Sequence, residues 1–205
     1  MKNMFFLLLF LPFFASAQVY DADKLLDKAV EAMKKDSPLQ MDYSYTVYDE
    51  TGDEVLEDKG VMRLDGNRYS VVMDKMGVWC DGKTQWSYML EIDEIYITGA
   101  SSDEAQNLSP LFIMENYSKG SSKTAVLQDG MAVLTLQSMQ DNTIEKVELY
   151  VDSETARLKA MNVFMPGQGH IEIMLDKYQI KCNFADDVYR CPVEEYSTAE
   201  VVDMR

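Results

Sequence analysis

The chain has 205 residues, and its 35 Asp and Glu residues against 19 Lys and Arg residues give a formal net charge of −16 at pH 7. Nucleic acids and anionic lipid surfaces would both repel so acidic a protein, so we expect it to bind neither. The chain is long enough to bury a core without help from metals or disulfides.

Residues 1–17 have the pattern of a secretory signal peptide. Lys2 is followed by the almost wholly apolar run 5–14 and then by Ala15-Ser16-Ala17, an A-x-A cleavage sequence. The run is too short to span a membrane and no later one approaches that length, so we expect no stable membrane insertion. Cleavage after Ala17 would leave residues 18–205 as one exported domain. No Cys follows the cleavage site, which argues against a lipid anchor.

One long helix is predicted over residues 21–35. Leu25, Leu26, Ala29 and Met33 recur at the spacing of an amphipathic helix. Asp21 or Asp23 can cap its N-terminus, Lys34 and Lys35 suit the negative end of its dipole, and Ser37-Pro38 ends it.

From Leu39 the apolar period changes to two, which predicts antiparallel strands joined by short turns. Met41, Tyr43, Tyr45 and Val47, for example, alternate with polar residues. The predicted strands and hairpins cover residues 39–48, 54–64, 68–74, 78–88, 94–98, 123–127, 131–138, 143–151, 158–165 and 170–181. Such a meander either closes into a barrel or curls around an apolar interior.

The strongest hairpin signal is Asp81-Gly82, because both residues tolerate the positive φ of a type I′ turn. With these two as the loop, Trp79, Thr84, Trp86 and Tyr88 share one face, and Val78, Cys80, Lys83, Gln85 and Ser87 share the other. The aromatic face is either ordinary sheet core or part of a binding surface.

A short apolar helix is predicted after Ser109-Pro110, where Ser is the cap and Pro the first helical residue. It carries Leu111, Phe112 and Met114. An exposed helix of this composition would aggregate, so it should face the interior of the curled sheet or another apolar surface.

Catalytic motifs are missing from the sequence. His170 is the only histidine, at the start of a predicted strand, where an exposed turn residue is expected more often than a general base. We find no G-x-S-x-G, no H-E-x-x-H and no glycine-rich phosphate loop. The sequence therefore predicts a protein that is not an enzyme and has no cofactor or metal.

Three cysteines leave one unpaired if a disulfide forms. Cys182 and Cys191 flank a short segment and could close a small loop, whereas Cys80 ends an apolar strand and is expected to be buried.

Methionine is frequent in the predicted strands and in the short apolar helix. Because Met adapts to variable apolar partners, this pattern favours either a ligand cavity or simple filling of a core. The residues concerned are Met41, Met62, Met73, Met76, Met89, Met114, Met131, Met139, Met161, Met165 and Met174.

These features together resemble the periplasmic outer-membrane lipoprotein carrier family, the LolA-like proteins. The most specific part is the D-G-K-T-x-W-x-Y hairpin that starts at Asp81, supported by Gly60, by the proline-led segment 109–113 and by Phe184 ahead of Pro192. The resemblance covers essentially the whole chain after Ala17.

The resemblance implies an incomplete antiparallel β-barrel of about eleven strands, lidded by short helices over an apolar cavity. A protein of this kind shields the acyl chains of lipoproteins in the periplasm, as a monomer. It receives its cargo from an inner-membrane ATP-driven release complex and passes it to an outer-membrane acceptor. The alternative is a periplasmic sensor or interaction module with the same half-barrel and no transport role.

Candidate residues follow from the pattern and the resemblance. The family commonly ends its second strand in Arg-Pro, with the Arg latching the lid, whereas this chain has Asp65-Gly66-Asn67; Arg63 or Arg68 is the candidate substitute. The candidates for contact with acyl chains are Tyr43, Tyr45, Val47, Met62, Met73, Trp79, Trp86, Tyr88, Leu111, Phe112 and Met114.

Overall fold

A computed structural model of the chain describes residues 21–101, 110–117, 119–128, 130–138 and 144–205. The predicted signal peptide, most of the predicted loop before Ser109, and the predicted turns at Asp129-Gly130 and Asp141-Asn142 lie wholly or partly outside the described residues.

The predicted N-terminal helix is confirmed as α1, Ala22–Asp36. Asp21 caps it by accepting a hydrogen bond from the Lys24 amide at 3.1 Å, and the Ser37 amide donates to the Met33 carbonyl at its end. Among the described helices, none has both the length and the apolar character needed to cross a membrane.

The strands form one open sheet, which confirms the predicted mainly β, half-open architecture. They are β1 Leu39–Tyr48, β2 Glu54–Asp65, β3 Arg68–Met73, β4 Met76–Cys80, β5 Thr84–Met89, β6 Glu94–Gly99, β7 Ser121–Gln128, β8 Met131–Ser138, β9 Lys146–Asp152, β10 Leu158–Met165, β11 Gly169–Gln179 and β12 Glu200–Asp203. Their order in the sheet is β12-β6-β5-β4-β3-β2-β1-β11-β10-β9-β8-β7.

β1 pairs with β11, so that two meanders join into one sheet. The sheet has twelve strands in the described part of the chain, compared with the expected number of about eleven. The twelfth strand, β12, pairs in parallel with β6. β12 is only four residues long and largely exposed, so it lacks the apolar alternation by which the other strands are recognised.

Three short helical pieces complete the fold. Pro110–Phe112 forms α2, which continues into the π-helical turn Ile113–Tyr117; we call residues 110–117 the lid segment. Asp186–Tyr189 and Val193–Tyr196 are single 3₁₀ turns, α3 and α4, that precede β12.

Period-2 alternation divides the apolar residues between the two faces of the sheet. The inner face, which α1 covers, carries the large cluster. This inner cluster includes Leu25, Leu26, Ala29 and Met33 of α1, Leu111 and Met114 of the lid segment, and Met41, Tyr43, Met62, Leu64, Tyr69, Val71, Val78, Cys80, Leu134, Leu149 and Met161 of the strands.

A second, smaller cluster lies on the outer face of β4–β6, beneath the C-terminal segment 182–205. Tyr196 from α4 packs on both Tyr88 and Trp79. Its ring centroid lies 4.1 Å from that of Tyr88 and 6.0 Å from that of Trp79. This outer cluster consists of Trp79, Tyr88, Ile95, Ile97 and Cys191, with Val72, Trp86, Tyr196 and Ala199 packed against it.

The β4–β5 hairpin corrects the predicted turn by one residue. Cys80 pairs with Gln85, and the Asp81 amide donates to the Thr84 carbonyl, so Gly82 and Lys83 are the loop. Of these only Gly82 has a positive φ, +90°, and the turn resembles type II′ rather than type I′. The division of residues between the two faces is as predicted.

A partly buried ion pair anchors the C-terminal end of α1. The Asp36 side chain, 9% exposed, accepts from Arg157 Nε at 2.7 Å and from Arg157 Nη2 at 3.2 Å. Arg157 lies in the turn between β9 and β10. The pair therefore fixes the end of α1 relative to the half of the sheet that is most distant in sequence.

Replacing Asp36 by Asn should destabilise the protein by about 1–3 kcal/mol, because Arg157 would lose its partner in a partly buried position. Chemical denaturation measures the change. The matched control is Asp203→Asn, which breaks an exposed pair with Arg205 and should have little effect. Equal effects of the two variants would contradict the anchoring role.

Candidate functional site

A cavity of about 860 Å³ opens at one end of the inner cluster. It lies between the end of α1, the lid segment and the turns that join β2 to β3 and β4 to β5. The residues that border it are Lys34, Ser37, Leu64, Gly66, Asn67, Tyr69, Cys80, Gly82, Lys83, Ala100, Ser101, Leu111 and Glu115.

The apolar wall of the cavity consists of Leu64, Tyr69, Cys80, Ala100 and Leu111. Leu64 on β2 and Tyr69 on β3 are directly opposite each other, and Tyr69 is in turn opposite Cys80 on β4. Because cross-strand partners share a face, these three side chains form one inward row. An apolar wall of this size suits an apolar ligand.

Polar groups in the wall are neutral. The Tyr69 hydroxyl donates to Gln85 Oε1 at 2.5 Å, and burial raises the pKa of the Tyr69 phenol. The Cys80 thiol donates to the Asn67 carbonyl at 3.8 Å, and burial raises the pKa of this thiol. Neither group is ionised at neutral pH, so the wall offers no nucleophile.

The rim of the cavity is polar and includes one ion pair. Lys34 Nζ of α1 lies 2.5 Å from Glu115 Oε1 of the lid segment. Asn67, Lys83 and Ser101 also border the rim. The ion pair links the helix to the lid segment across the edge of the cavity.

Glycines in the β2–β3 and β4–β5 turns border one side of the cavity. Gly66 and Gly82, with φ of +61° and +90°, present no side chain there. A Cβ atom on Gly82 would lie 2.9 Å from Asn67 Nδ2, so the Asn67 carboxamide fills the space above that turn. Asn67 therefore lies at the edge of the cavity between the two turns.

A sequence profile described as outer membrane lipoprotein carrier protein LolA matches residues 13–166 of this chain. The chain belongs to this LolA family. The match runs from the N-terminal region through β10 and does not include β11 or the C-terminal segment. No curated protein matches the chain.

Several solved structures are similar to this chain at low sequence identity. An uncharacterized conserved protein from Thermus thermophilus is 15% identical over 90% of this chain and 99% of that one, with a TM-score of 0.51. The LolA superfamily protein NE2245 from Nitrosomonas europaea is 11% identical over 84% and 98%, with a TM-score of 0.45. LprF from Mycobacterium bovis is 12% identical over 80% and 95%, with a TM-score of 0.39.

Most predicted acyl-contact residues of β1–β3 and the lid segment lie in or against the inner cluster. Tyr43, Met62, Leu111 and Met114 are buried in it, and Tyr45 and Met73 pack against it. Of these only Leu111 borders the cavity itself. Val47 is half-buried outside the cluster, and the Phe112 side chain lies outside the described part of the chain.

Trp79, Trp86 and Tyr88 are placed differently from the prediction. They lie in or against the outer cluster, on the face of the sheet opposite the cavity, where the C-terminal segment covers them. The hairpin that marks the LolA family therefore presents its other face, with Cys80, to the cavity. Sequence alternation alone cannot say which of two apolar faces a helix will cover.

The two predicted latch residues do not hold the lid segment. Arg68 pairs with Asp65 and with Asp186 Oδ1 at 2.6 Å, and its guanidinium lies 4.6 Å from the Tyr189 ring. It thus holds α3 of the C-terminal segment. Arg63 alternates with the inward residues of β2 and so lies on the outer face.

The lid segment is held instead by the burial of Leu111 and Met114 and by the ion pair between Lys34 and Glu115. The sequence did not predict that Lys34 contacts the lid segment, because a Lys in the last turn of α1 is already explained by its interaction with the helix dipole. Lys83, Asn67 and Ala100 were also missed as residues of the cavity, since each lies at or just beyond a strand end whose position depends on the curl of the sheet.

The predicted disulfide is absent. Cys80, Cys182 and Cys191 are free thiols. Cys191 is buried in the outer cluster, where burial raises its pKa to about 12. Cys182 follows β11, and its amide donates to the Pro38 carbonyl at 2.8 Å. The two cysteines are held on different elements despite their closeness in sequence.

Alkylation of the denatured protein without reductant should give three adducts, as counted by intact mass. In the native protein at pH 8, Cys182 should react first, because burial and a raised pKa leave Cys80 and Cys191 with little accessible thiolate. A single adduct in denaturant would show that Cys182 and Cys191 are bonded after all.

Proposed function

We propose that this LolA-family chain is an exported carrier. It shields the acyl chains of lipoproteins in the cavity and delivers them from the inner to the outer membrane. The observation that carries the proposal is the cavity of about 860 Å³, apolar in its wall and open at its rim, between α1 and the lid segment.

Physical chemistry explains why such cargo needs a carrier. Each buried methylene is worth about 0.8 kcal/mol, so a chain of roughly sixteen carbons is held in a membrane by more than ~10 kcal/mol. An acylated protein therefore cannot cross an aqueous compartment at a useful rate unless the chain is covered. The cavity supplies that cover, and its open rim lets the attached polypeptide remain outside.

The rest of the proposed transport cycle is taken from the resemblance to the LolA family. The proposed sequence of events takes place in the periplasm, with a monomeric carrier and one domain over residues 18–205. An inner-membrane ATP-driven complex supplies the energy to load cargo, and an outer-membrane acceptor takes it up.

Release requires the lid segment to move. Lys34 and Glu115 have exposed fractions of 55% and 36%, and so exposed a pair is worth about 0.2–1 kcal/mol. The pair therefore contributes little to holding the lid segment at the rim. The burial of Leu111 and Met114 in the inner cluster contributes more, so opening of the lid segment requires these side chains to be displaced.

Filling the cavity should abolish ligand binding. Ala100→Trp places a large ring at the cavity wall, and we expect at least a tenfold loss of affinity for a fluorescent fatty acid and for a triacylated lipopeptide that competes with it. The matched control is Ala185→Trp at an exposed site. The label itself must report binding, since Trp79 and Trp86 lie in the outer cluster. Equal binding by both variants would contradict the proposed site.

Removing the ion pair at the rim should speed release. Glu115→Gln should raise the dissociation rate of the lipopeptide by up to about fivefold, which corresponds to an exposed ion pair. Stopped-flow dilution measures that rate. Glu31→Gln, at an exposed position of α1, is the control. No change in Glu115→Gln would mean that the pair does not hold the lid.

Transfer itself is tested with labelled lipoprotein on spheroplasts. The wild-type protein should release the lipoprotein into solution as a complex and pass it to outer membranes, whereas Ala100→Trp should not. Capture of a membrane regulator without any transfer would support a sensor and overturn the carrier proposal.

A further inference from the structure

The polar groups at the cavity rim differ in character from the surface of the chain as a whole. Lys34, Lys83 and Asn67 supply two ammonium groups and a carboxamide, and Glu115 supplies the one carboxylate among the described residues that border the cavity. The complete chain has a net charge of −16. Among these rim residues the hydrogen-bond donors therefore outnumber the carboxylates, in contrast to the acidic chain as a whole.

Two carboxylates at this end of the strands are each paired with an arginine, Asp65 with Arg68 and Asp81 with Arg190. Other acidic residues lie at the far ends of the strands. The β1–β2 turn carries Asp49, Glu50 and Asp53, and the β5–β6 turn carries Glu91 and Asp93. A strand of six residues such as β5 spans about 20 Å, which is twice the Debye length of ~8–10 Å at physiological ionic strength. Repulsion from those carboxylates is thus largely screened at the rim.

The size of the cavity suits a ligand with two acyl chains. A methylene takes up a volume close to the ~30 Å³ share of a liquid water molecule, so the cavity of about 860 Å³ corresponds to roughly thirty methylenes. This equals two chains of roughly fourteen to sixteen carbons. The apolar wall and the donor-rich rim are adjacent, as are the chains and head group of a phospholipid.

We infer that the cavity also binds free anionic two-chain phospholipid, with the acyl chains against the apolar wall and the phosphate at Lys34, Lys83 and Asn67. This inference rests on the proposed function, because it uses the same acyl-chain cavity. It goes further in assigning a charge preference to the rim. Ammonium and carboxamide donors form charge-assisted hydrogen bonds to phosphate oxygens.

Glu115 competes with the phosphate for Lys34. Its carboxylate already lies 2.5 Å from the Lys34 ammonium. Removal of the Glu115 charge should therefore strengthen the preference for an anionic head group, and removal of either Lys charge should weaken it. Opposite effects at two contacting residues are not expected from a general loss of folding.

The experiment compares phosphatidylglycerol and phosphatidylcholine that have identical, fluorescently labelled chains, below their critical micelle concentrations. Both lipids carry the phosphate, but the choline cation of phosphatidylcholine is repelled by Lys34 and Lys83, so we expect phosphatidylglycerol to bind roughly tenfold more tightly. The ratio should fall toward one in Lys34→Gln and Lys83→Gln and rise in Glu115→Gln. Lys28→Gln, exposed on the same helix as Lys34, should leave it unchanged.

Several outcomes would overturn the inference. The rim would not distinguish head-group charge if the wild-type protein bound phosphatidylglycerol and phosphatidylcholine with equal affinity. The same conclusion would follow if both Lys variants kept the wild-type ratio of the two affinities. Competition by inorganic phosphate alone would point to an ion site independent of the acyl chains. Binding of the triacylated lipopeptide without either phospholipid would remove this inference and leave the carrier proposal intact. Failure of all three lipids to bind would overturn both.

Discussion

The antiparallel pairing of β1 with β11 is the interaction on which the rest of the fold depends. It matches Gln40 with Gln179 at one end and Tyr48 with His170 at the other, and it joins the meander β1–β6 to the meander β7–β11. Without this seam each half would expose its inner face to water. With it, one wide sheet curls around α1, because neighbouring strands are twisted relative to each other. The inner cluster exists only because the two halves are joined.

The cavity follows from where α1 ends. The helix fills the interior as far as Asp36, and the chain then leaves through Ser37 to start β1. Beyond that point, among the described residues, the inward row of Leu64, Tyr69 and Cys80 borders the cavity together with Ala100, Ser101 and the lid segment. Alternation places these side chains, but the helix terminus decides which of them remain available to a ligand.

Much of this architecture could be predicted from the sequence, because local patterns determine it. The helix α1, the antiparallel strands and most turns follow from apolar period, capping residues and Gly-containing dipeptides. The parallel strand β12, the cover over Trp79 and Tyr88 and the separation of Cys182 from Cys191 could not, since each depends on how the C-terminal segment crosses the outer face. An apolar cavity was predicted, but of the candidate contact residues only Leu111 borders the cavity in the structure, because the other lining residues depend on the curl of the sheet.

The C-terminal segment also makes the two halves of the sheet mechanically unequal. Around β4–β6 the strands are packed on both faces, by the inner cluster and by the outer cluster. In β11 the outward side chains are solvated, and Met174 is 53% exposed. A sheet with apolar packing on both faces resists bending more than one with packing on a single face. The half that contains the β4–β5 turn is therefore expected to be the stiffer one, so that a widening of the interior would take place in the opposite half.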